Sequence, residues 1–237
     1  MVSAETTALD PNLTSEQAFL FPCYCEENVW RLAYRRLHYK RDDDAGETEM
    51  QREEIPEEYH VVFISNKRKC CPMFFQKAKE DSNISPCFWD YHVILIVTCR
   101  NIQDPMKTTT YVLDMDSRLP YPCPISTYLE KSFDFDYEAN EEMRQFAPSF
   151  RVIPAAVYLE NFYSDRMHMF DREKQTWSSP PPTYDCIMRG WDGRETKSRS
   201  NLDQYIIMET QAFGQGEGKF GYVLTLEEAK RKLCRPD

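Results

Sequence analysis

The sequence lacks a long apolar run, and its positive charges are outnumbered. The most apolar stretch, Val93 to Val97, is far shorter than the roughly 18 residues that a membrane-spanning helix requires. No basic start followed by an apolar core is present, so we predict no secretory signal. A net charge of −10 argues against non-specific nucleic-acid binding and is compatible with a positively charged substrate. We therefore expect neither a membrane nor a nucleic acid as partner.

The nine cysteines provide neither a regular disulfide framework nor a metal site. Their number is odd and their spacing irregular, which favours reduced thiols in the cytoplasm or the nucleus. Cys23 and Cys25 could form a C-x-C metal pair, but no second pair has ligand spacing. The adjacent Cys70 and Cys71 suit chelation poorly. We predict that the protein needs no metal and no other cofactor.

Two predicted strands, 90–99 and 109–113, are separated by turn residues. If they form an antiparallel hairpin centred on Gln103, His92 lies directly opposite Asp114. Cross-strand partners on one face are close enough for their side chains to hydrogen-bond. This contact depends on the register, because a slip of one residue would move one side chain to the other face.

A helix is predicted to begin near Cys25, with Glu26 and Glu27 in its first turn, where acidic residues favour the positive end of the helix dipole. A thiol at this position can be stabilised as a thiolate, which lowers its pKa, and the backbone N–H of Cys25 can serve as an oxyanion donor. With His92 and Asp114, the chain offers the thiol, imidazole and carboxylate of a nucleophilic cysteine enzyme.

Each of these residues also has a structural reading. Most free cysteines are buried packing residues, and a histidine beside aromatic residues can be a satisfied core residue. Asp114 and Asp116 flank Met115, and the hairpin register favours Asp114 over Asp116 as the partner of His92. The joint arrangement favours the catalytic interpretation over the separate structural ones.

The length of 237 residues fits one large domain or two small ones. The pattern of elements indicates a single α+β domain with a central, mostly antiparallel sheet. We assign 1–16 to a flexible N-terminal tail and 17–237 to the catalytic domain. Loop insertions are predicted near 41–58, which is acidic, and near 188–200, which is basic.

Several short motifs extend over most of the chain and are more specific than the three candidate residues. They are CYCEENVW at 23–30, VFISN at 62–66, WDYHV at 89–93, DxDxxLPxPC at 114–123, FRVI at 150–153, SDRxHM at 164–169, PPPxYxC at 180–186 and NL at 201–202. With these motifs in this order, the chain resembles the protein N-terminal glutamine amidohydrolase family, whose members contain a WDYHV motif.

The resemblance implies a papain- or transglutaminase-like α/β sandwich with Cys25, His92 and Asp114 as the catalytic triad. It implies that Cys23 is a neighbour without a chemical role. The implied reaction converts the N-terminal glutamine of a protein or peptide to glutamate and releases ammonia. This reaction would prepare substrates for arginylation in the N-degron pathway, whose enzymes are then possible partners. We expect a monomer in the cytoplasm and the nucleus.

An enzyme that acts on residue one must recognise a free α-ammonium, and a buried carboxylate suits this role. The carboxylates next to the proposed nucleophile and base are Glu26, Glu27 and Asp90. Compensation of the helix dipole or plain solvent exposure would also explain them. The proposed pocket walls are Tyr24, Ser65, Asn66 and Trp89.

Other functions share this set of residues. A cysteine protease or a transglutaminase-type acyl transferase would use the same triad on a different bond or acceptor. A module that binds N-termini without turnover is the non-enzymatic alternative.

Overall fold

The computed structural model describes residues 20–38, 54–104, 106–137, 141–190, 199–208 and 220–234. The predicted tail at 1–16 and the greater part of both predicted insertions lie outside these residues. Residues 54–58, which we assigned to the acidic insertion, form the beginning of the first strand instead.

In the described part of the chain, one helix precedes six consecutive strands, and helices and strands are mixed after them. The helices are α1 Cys25–His38, α2 Ile125–Ser132, α3 Glu141–Arg144, α4 Ala155–Asn161, α5 Leu202–Ile206 and α6 Leu226–Leu233, with a 3-10 turn at Met167–Met169. The strands are β1 Glu54–Ser65, β2 Cys71–Met73, β3 Cys87–Trp89, β4 Tyr91–Asn101, β5 Thr108–Leu113, β6 Cys123–Pro124, β7 Ser149–Pro154, β8 Phe170–Asp171, β9 Thr176–Trp177 and β10 Tyr222–Thr225. No helix in these ranges has both the length and the apolar character needed to cross a membrane.

The central sheet has six strands in the order β10-β7-β1-β4-β5-β6, and each neighbouring pair is antiparallel. Two small antiparallel pairs, β2 with β3 and β8 with β9, lie outside it. The predicted single α+β domain with a mostly antiparallel central sheet is therefore confirmed.

The core lies on both faces of this sheet, because side chains alternate between the faces along each strand. Val61 and Phe63 of β1 pack with α1, α4 and α5 on one face. Val62 and Ile64 of the same strand pack with α2 and α6 on the other face. Each large apolar side chain buried in this way contributes roughly 1.5–3 kcal/mol to folding.

Helix α1 begins at Cys25, as predicted, and its charges match the helix dipole at both ends. Acidic residues stand in the first turn and basic residues in the last turn. Its apolar residues pack against the sheet, and this packing holds the first turn against β4. Cys25 is thereby fixed close to the beginning of β4.

The predicted register of the β4–β5 hairpin is wrong by two residues. Leu95 pairs with Leu113 and Arg100 with Thr108, so the turn is centred on Asp104. Had β5 continued, Asp114 would have faced Ile94 rather than His92. A slip of two residues keeps every side chain on its predicted face, so His92 and Asp114 are diagonal rather than direct neighbours.

Candidate active site

Strand β5 is shorter than β4, and this leaves part of the β4 edge without a neighbouring strand. β5 ends at Leu113, opposite Leu95. The N–H of Asn101 donates to the carbonyl of Lys107 at 2.9 Å, so the N–H groups of every second residue of β4 point toward β5. The N–H of Val93 has the same direction but lies beyond the end of β5.

The sulfur of Cys25 accepts the hydrogen bond of the Val93 N–H. The sulfur therefore occupies the edge of β4 from which β5 is missing, beside the residue that follows His92. Cys25 is 9% exposed. Early termination of β5 and the packing of α1 together place the thiol at this edge.

His92 and Asp114 form a buried pair. His92 Nε2 lies 3.1 Å from Asp114 Oδ2, and both side chains are almost fully buried. Tyr128 donates its hydroxyl to the same Oδ2 at 2.7 Å, and the N–H of Asp116 donates to Oδ1 at 2.9 Å. Trp89 stacks on the imidazole with ring centroids 5.5 Å apart. The pair is thus held from three sides.

The charges of this pair stabilise one another. Burial favours the neutral form of His92, but the charge and hydrogen bond of Asp114 outweigh burial and raise the pKa of His92. Burial likewise acts to raise the pKa of Asp114, but His92, followed by Tyr128, outweighs it and lowers that pKa. Because Nε2 is the nitrogen that faces Asp114 Oδ2, Nδ1 is left to exchange a proton with another group.

The thiol does not behave as the helix position predicted. Burial is the largest effect and raises the pKa of Cys25 well above its usual value, and the charges of Glu26 and Asp116 raise it further. The hydrogen bond from Val93 lowers this pKa without reversing the shift. The prediction that the helix N-terminus makes Cys25 a ready thiolate is wrong, because burial among carboxylates outweighs the dipole. Burial and the neighbouring carboxylates therefore favour the neutral thiol over the thiolate.

Glu26 lies next to this thiol and is fully buried. Its Oε2 accepts a hydrogen bond from the Tyr91 hydroxyl at 3.0 Å and lies 3.8 Å from the Cys25 sulfur. Its Oε1 has no hydrogen-bond partner within the described ranges, and His168 Nε2 lies 3.6 Å from it. Burial raises the pKa of Glu26 to about 7. The first turn of α1 therefore carries a carboxylate that is incompletely satisfied.

Glu27 is fully buried too, but both of its oxygens are occupied. Arg166 donates from Nε to Oε1 and from Nη2 to Oε2, each at 2.8 Å. The same guanidinium donates to the backbone carbonyls of Pro182, Tyr184 and Asp185. Glu27 therefore anchors Arg166 and, through it, the segment that follows the three prolines.

A second contact fixes the same segment over the start of α1. The buried Tyr24 donates its hydroxyl to the carbonyl of Ser179 at 3.0 Å. Ser179 in turn donates its hydroxyl to the carbonyl of Pro22 at 3.1 Å. Tyr24 thus connects the residues before Cys25 to the proline-rich segment.

The other predicted pocket residues separate into two groups. Trp89 contacts the imidazole of His92, and the exposed Asp90 accepts the N–H of Tyr91 at 2.9 Å. Ser65 donates to the carbonyl of Asp90 at 2.5 Å and so supports that turn. Asn66 instead uses its side-chain amide to close the turn after β1, with bonds to the backbone of residues 68, 70 and 146.

Two further features lie apart from the three candidate catalytic residues. Cys23 is exposed and adopts a positive φ of 67°. A cavity of about 950 Å³ is lined by Asn66 and by residues of 135–149 and of the N-terminus of α6, but by none of the candidate triad. In the described part of the chain, no group of three or more potential metal ligands comes together.

Three residues of the site were not singled out from the sequence. Tyr91 lies within the WDYHV segment and Arg166 within the SDRxHM segment, so each stood in a motif without an assigned role. Tyr128 lies in α2, and no local pattern indicated that its hydroxyl would reach Asp114. All three act across the fold, at separations of 14 to 139 residues.

Comparison with known proteins gives one consistent result. A family model described as N-terminal glutamine amidase matches residues 20–233. A protein N-terminal glutamine amidohydrolase of Bos taurus is 38% identical over 190 residues, which are 80% of this chain and 77% of the relative. The proteins of the same name from Homo sapiens and Danio rerio are 37% and 35% identical, over 87% and 91% of this chain and 83% and 90% of their own lengths.

Proposed function

The chain belongs to the N-terminal glutamine amidase family, and we propose that it uses Cys25, His92 and Asp114 to hydrolyse the side-chain amide of an N-terminal glutamine. The protein is an amidohydrolase that converts this glutamine to glutamate and releases ammonia. The observation that carries the proposed mechanism is the position of the thiol at the open edge of β4. There the sulfur accepts a hydrogen bond from the N–H of Val93, the residue that follows His92 in β4.

The first half of the reaction forms a thioester. Because the neutral thiol of Cys25 is favoured over the thiolate, its proton must move to His92 as the sulfur attacks the amide carbon. His92 Nδ1 accepts this proton, while Nε2 stays on Asp114, which stabilises the resulting imidazolium. The imidazolium then protonates the departing nitrogen, and ammonia leaves as the C–N bond breaks.

The second half regenerates the enzyme. His92 removes a proton from a water molecule, and the hydroxide attacks the thioester carbon. The C–S bond breaks, the sulfur takes its proton back from His92, and the product is glutamate. In both halves we propose the N–H of Cys25, at the beginning of α1, as a donor to the oxyanion.

We propose that this layout is papain- or transglutaminase-like. The arrangement that supports it is a nucleophile at the N-terminus of a helix packed on a sheet, with the base on one strand and the acid at the end of the next strand. Tyr24, Ser65, Trp89 and Asp90 belong to the segments around the reacting groups. We propose Trp89 as a pocket wall and the other three as residues that position the walls. Asn66 remains a weaker candidate, because its amide is used within its own turn.

The cellular part of the proposal follows from the product. A new N-terminal glutamate is the class of end that arginylation extends, so we propose that the protein acts before that step of the N-degron pathway. We further propose that it works as a monomer in the cytoplasm and the nucleus.

Mass spectrometry of a glutamine-initiated peptide tests the catalytic assignment. The wild-type protein should release ammonia and leave an N-terminal glutamate. Cys25→Ala should abolish the reaction while the protein stays folded. Cys23→Ala is the matched control and should retain activity, because Cys23 is an exposed thiol outside the proposed triad. An essential Cys23 with a dispensable Cys25 would overturn the assignment.

The same assay separates the alternatives when an amine is added. Cleavage of a peptide bond would indicate a protease, and an amine adduct would indicate an acyl transferase. Binding of the peptide without any product would indicate a non-catalytic module. Iodoacetamide adds a further check, since a catalytic Cys25 should be alkylated faster in the wild type than after His92→Ala.

A further inference from the structure

An N-terminal glutamine places two constraints on the carboxylate that recognises it. Its α-nitrogen and its amide carbon are separated by four single bonds, or roughly 4–5 Å. The amide carbon must approach the sulfur to roughly 3–3.5 Å before attack. The carboxylate that binds the ammonium must therefore lie close to Cys25 and have an oxygen to offer.

Glu27 and Asp90 meet these constraints poorly. Both oxygens of Glu27 are held by Arg166 at 2.8 Å, so a substrate ammonium would have to displace a buried guanidinium. Asp90 is exposed, so its charge is already solvated and gains less from a cation. Asp116 acts on the thiol as well, but the charges of His92 and Lys77 already oppose the effect of burial on its carboxylate.

Glu26 meets both constraints. Its Oε2 lies 3.8 Å from the Cys25 sulfur, and the Tyr91 hydroxyl fixes that oxygen. Its Oε1 is buried and has no hydrogen-bond partner among the described residues. Buried carboxylate oxygens are nearly always paired, so an orphaned one beside a nucleophile indicates a missing cationic partner.

The groups around Glu26 do not supply that partner. Glu27 follows it on α1, Tyr91 approaches from β4, and Tyr158 of α4 donates to its backbone carbonyl. His168, in the 3-10 turn, lies 3.6 Å from Oε1, but burial lowers the pKa of His168 and favours its neutral form. The His168 side chain is 27% exposed, whereas that of Glu26 is fully buried.

We propose that Glu26 binds the α-ammonium of the substrate and that the bound cation helps Cys25 to ionise. This assignment rests on the proposed amidohydrolase reaction and deepens it. In the free protein, the charge of Glu26 opposes formation of the thiolate. An ammonium on Oε1 neutralises that charge, so the nucleophile becomes competent when a free N-terminus is present. A blocked N-terminus loses both the contact and the activation.

The test compares two peptides that differ by the cation alone. One begins with glutamine, and the other carries a desamino analogue in which hydrogen replaces the α-ammonium. The quantity measured is the ratio of their kcat/KM values for ammonia release. For the wild-type protein we expect a ratio of about 100 or more, because a buried charge pair is lost with the analogue. The loss should appear in kcat as well as in KM, since the cation also activates the thiol.

Glu26→Gln should collapse this ratio to within about threefold of unity. It should turn over the desamino peptide no more slowly than the wild type does, because the charge that opposed the thiolate is gone. Asp116→Asn is the matched control: it also removes a carboxylate that raises the pKa of Cys25, but it should keep the ratio. Should Glu26→Gln fail to fold, Glu26→Asp retains the charge one methylene further away and should lower the ratio at least about fivefold.

The outcomes separate the two proposals. A wild-type protein without ammonia release overturns the proposed function and the Glu26 assignment with it. An active wild type with a ratio near unity overturns the assignment alone. The assignment is also overturned if the ratio is unchanged in Glu26→Gln or Glu26→Asp, or if the ratio falls close to unity in Asp116→Asn.

Discussion

Glu26→Gln should make the folded protein more stable above neutral pH. Burial raises the pKa of Glu26 to about 7 in the folded protein, whereas a glutamate in an unfolded chain ionises near pH 4.3. Between these values the folded state holds a proton that the unfolded state has released. The free energy of unfolding therefore falls as pH rises through this window, and the loss is complete above the folded pKa.

The size of the effect follows from the shift. A difference of roughly 2.5 pKa units corresponds to about 3–4 kcal/mol at alkaline pH. The glutamine side chain of the variant carries no charge at any pH and can still accept the Tyr91 hydroxyl, so the variant escapes this penalty. Its stability relative to the wild type should increase by about 2 kcal/mol between pH 5.5 and 8.5.

Urea unfolding at these two pH values measures the difference directly. Glu160→Gln, at an exposed position, is the control and should be neutral at both. Titrating groups that do not interact with Glu26 are common to the variant and the wild type and cancel in the comparison. A variant that is less stable than the wild type at pH 8.5, or a difference that does not change with pH, would refute the reasoning.

Two other substitutions test the groups around the thiol. Arg166→Met leaves the Glu27 charge buried and unpaired, so it should lower the free energy of unfolding in urea by about 3–5 kcal/mol. Adding Glu27→Gln should recover at least about 1 kcal/mol of this loss. A double variant that is no more stable than the single variant would contradict this expectation. Asp114→Asn should lower kcat for ammonia release about 100-fold or more, because His92 loses the charge that supports its imidazolium. Asp116→Asn should lower kcat less than about tenfold. Equal losses of kcat would argue against Asp114 as the orienting acid.

The sequence predicted the contacts of the site better than the geometry that makes them. The start of α1 at Cys25 and the strands β4 and β5 follow from local patterns of charge and hydrophobicity. The approach of His92 to Asp114 was also predicted, but from a register that is wrong by two residues. The contact survives because an even slip keeps both side chains on one face of the sheet. The length of the turn decides the register, and turn residues alone did not fix that length.

The electrostatics could not be predicted from the sequence. A helix N-terminus favours an ionised thiol, but burial and the neighbouring carboxylates decide the pKa of Cys25, and both depend on the tertiary fold. The contrast between Glu26 and Glu27 has the same origin. The two residues are adjacent in one helical turn, yet Arg166, which lies 139 residues away from Glu27, pairs with one and leaves the other incomplete.

Taken together, the two experiments on Glu26 distinguish a binding residue from a structural one. A carboxylate that serves the fold lowers both stability and activity when it is removed. One that is kept for a cationic substrate stays unsatisfied in the free protein, so its removal should raise stability and lower discrimination between charged and uncharged N-termini. The penalty of about 3–4 kcal/mol at alkaline pH is then the electrostatic cost that a bound ammonium offsets. A variant that is more stable than the wild type but discriminates less between charged and uncharged N-termini is expected only if the missing partner of Glu26 is the substrate itself.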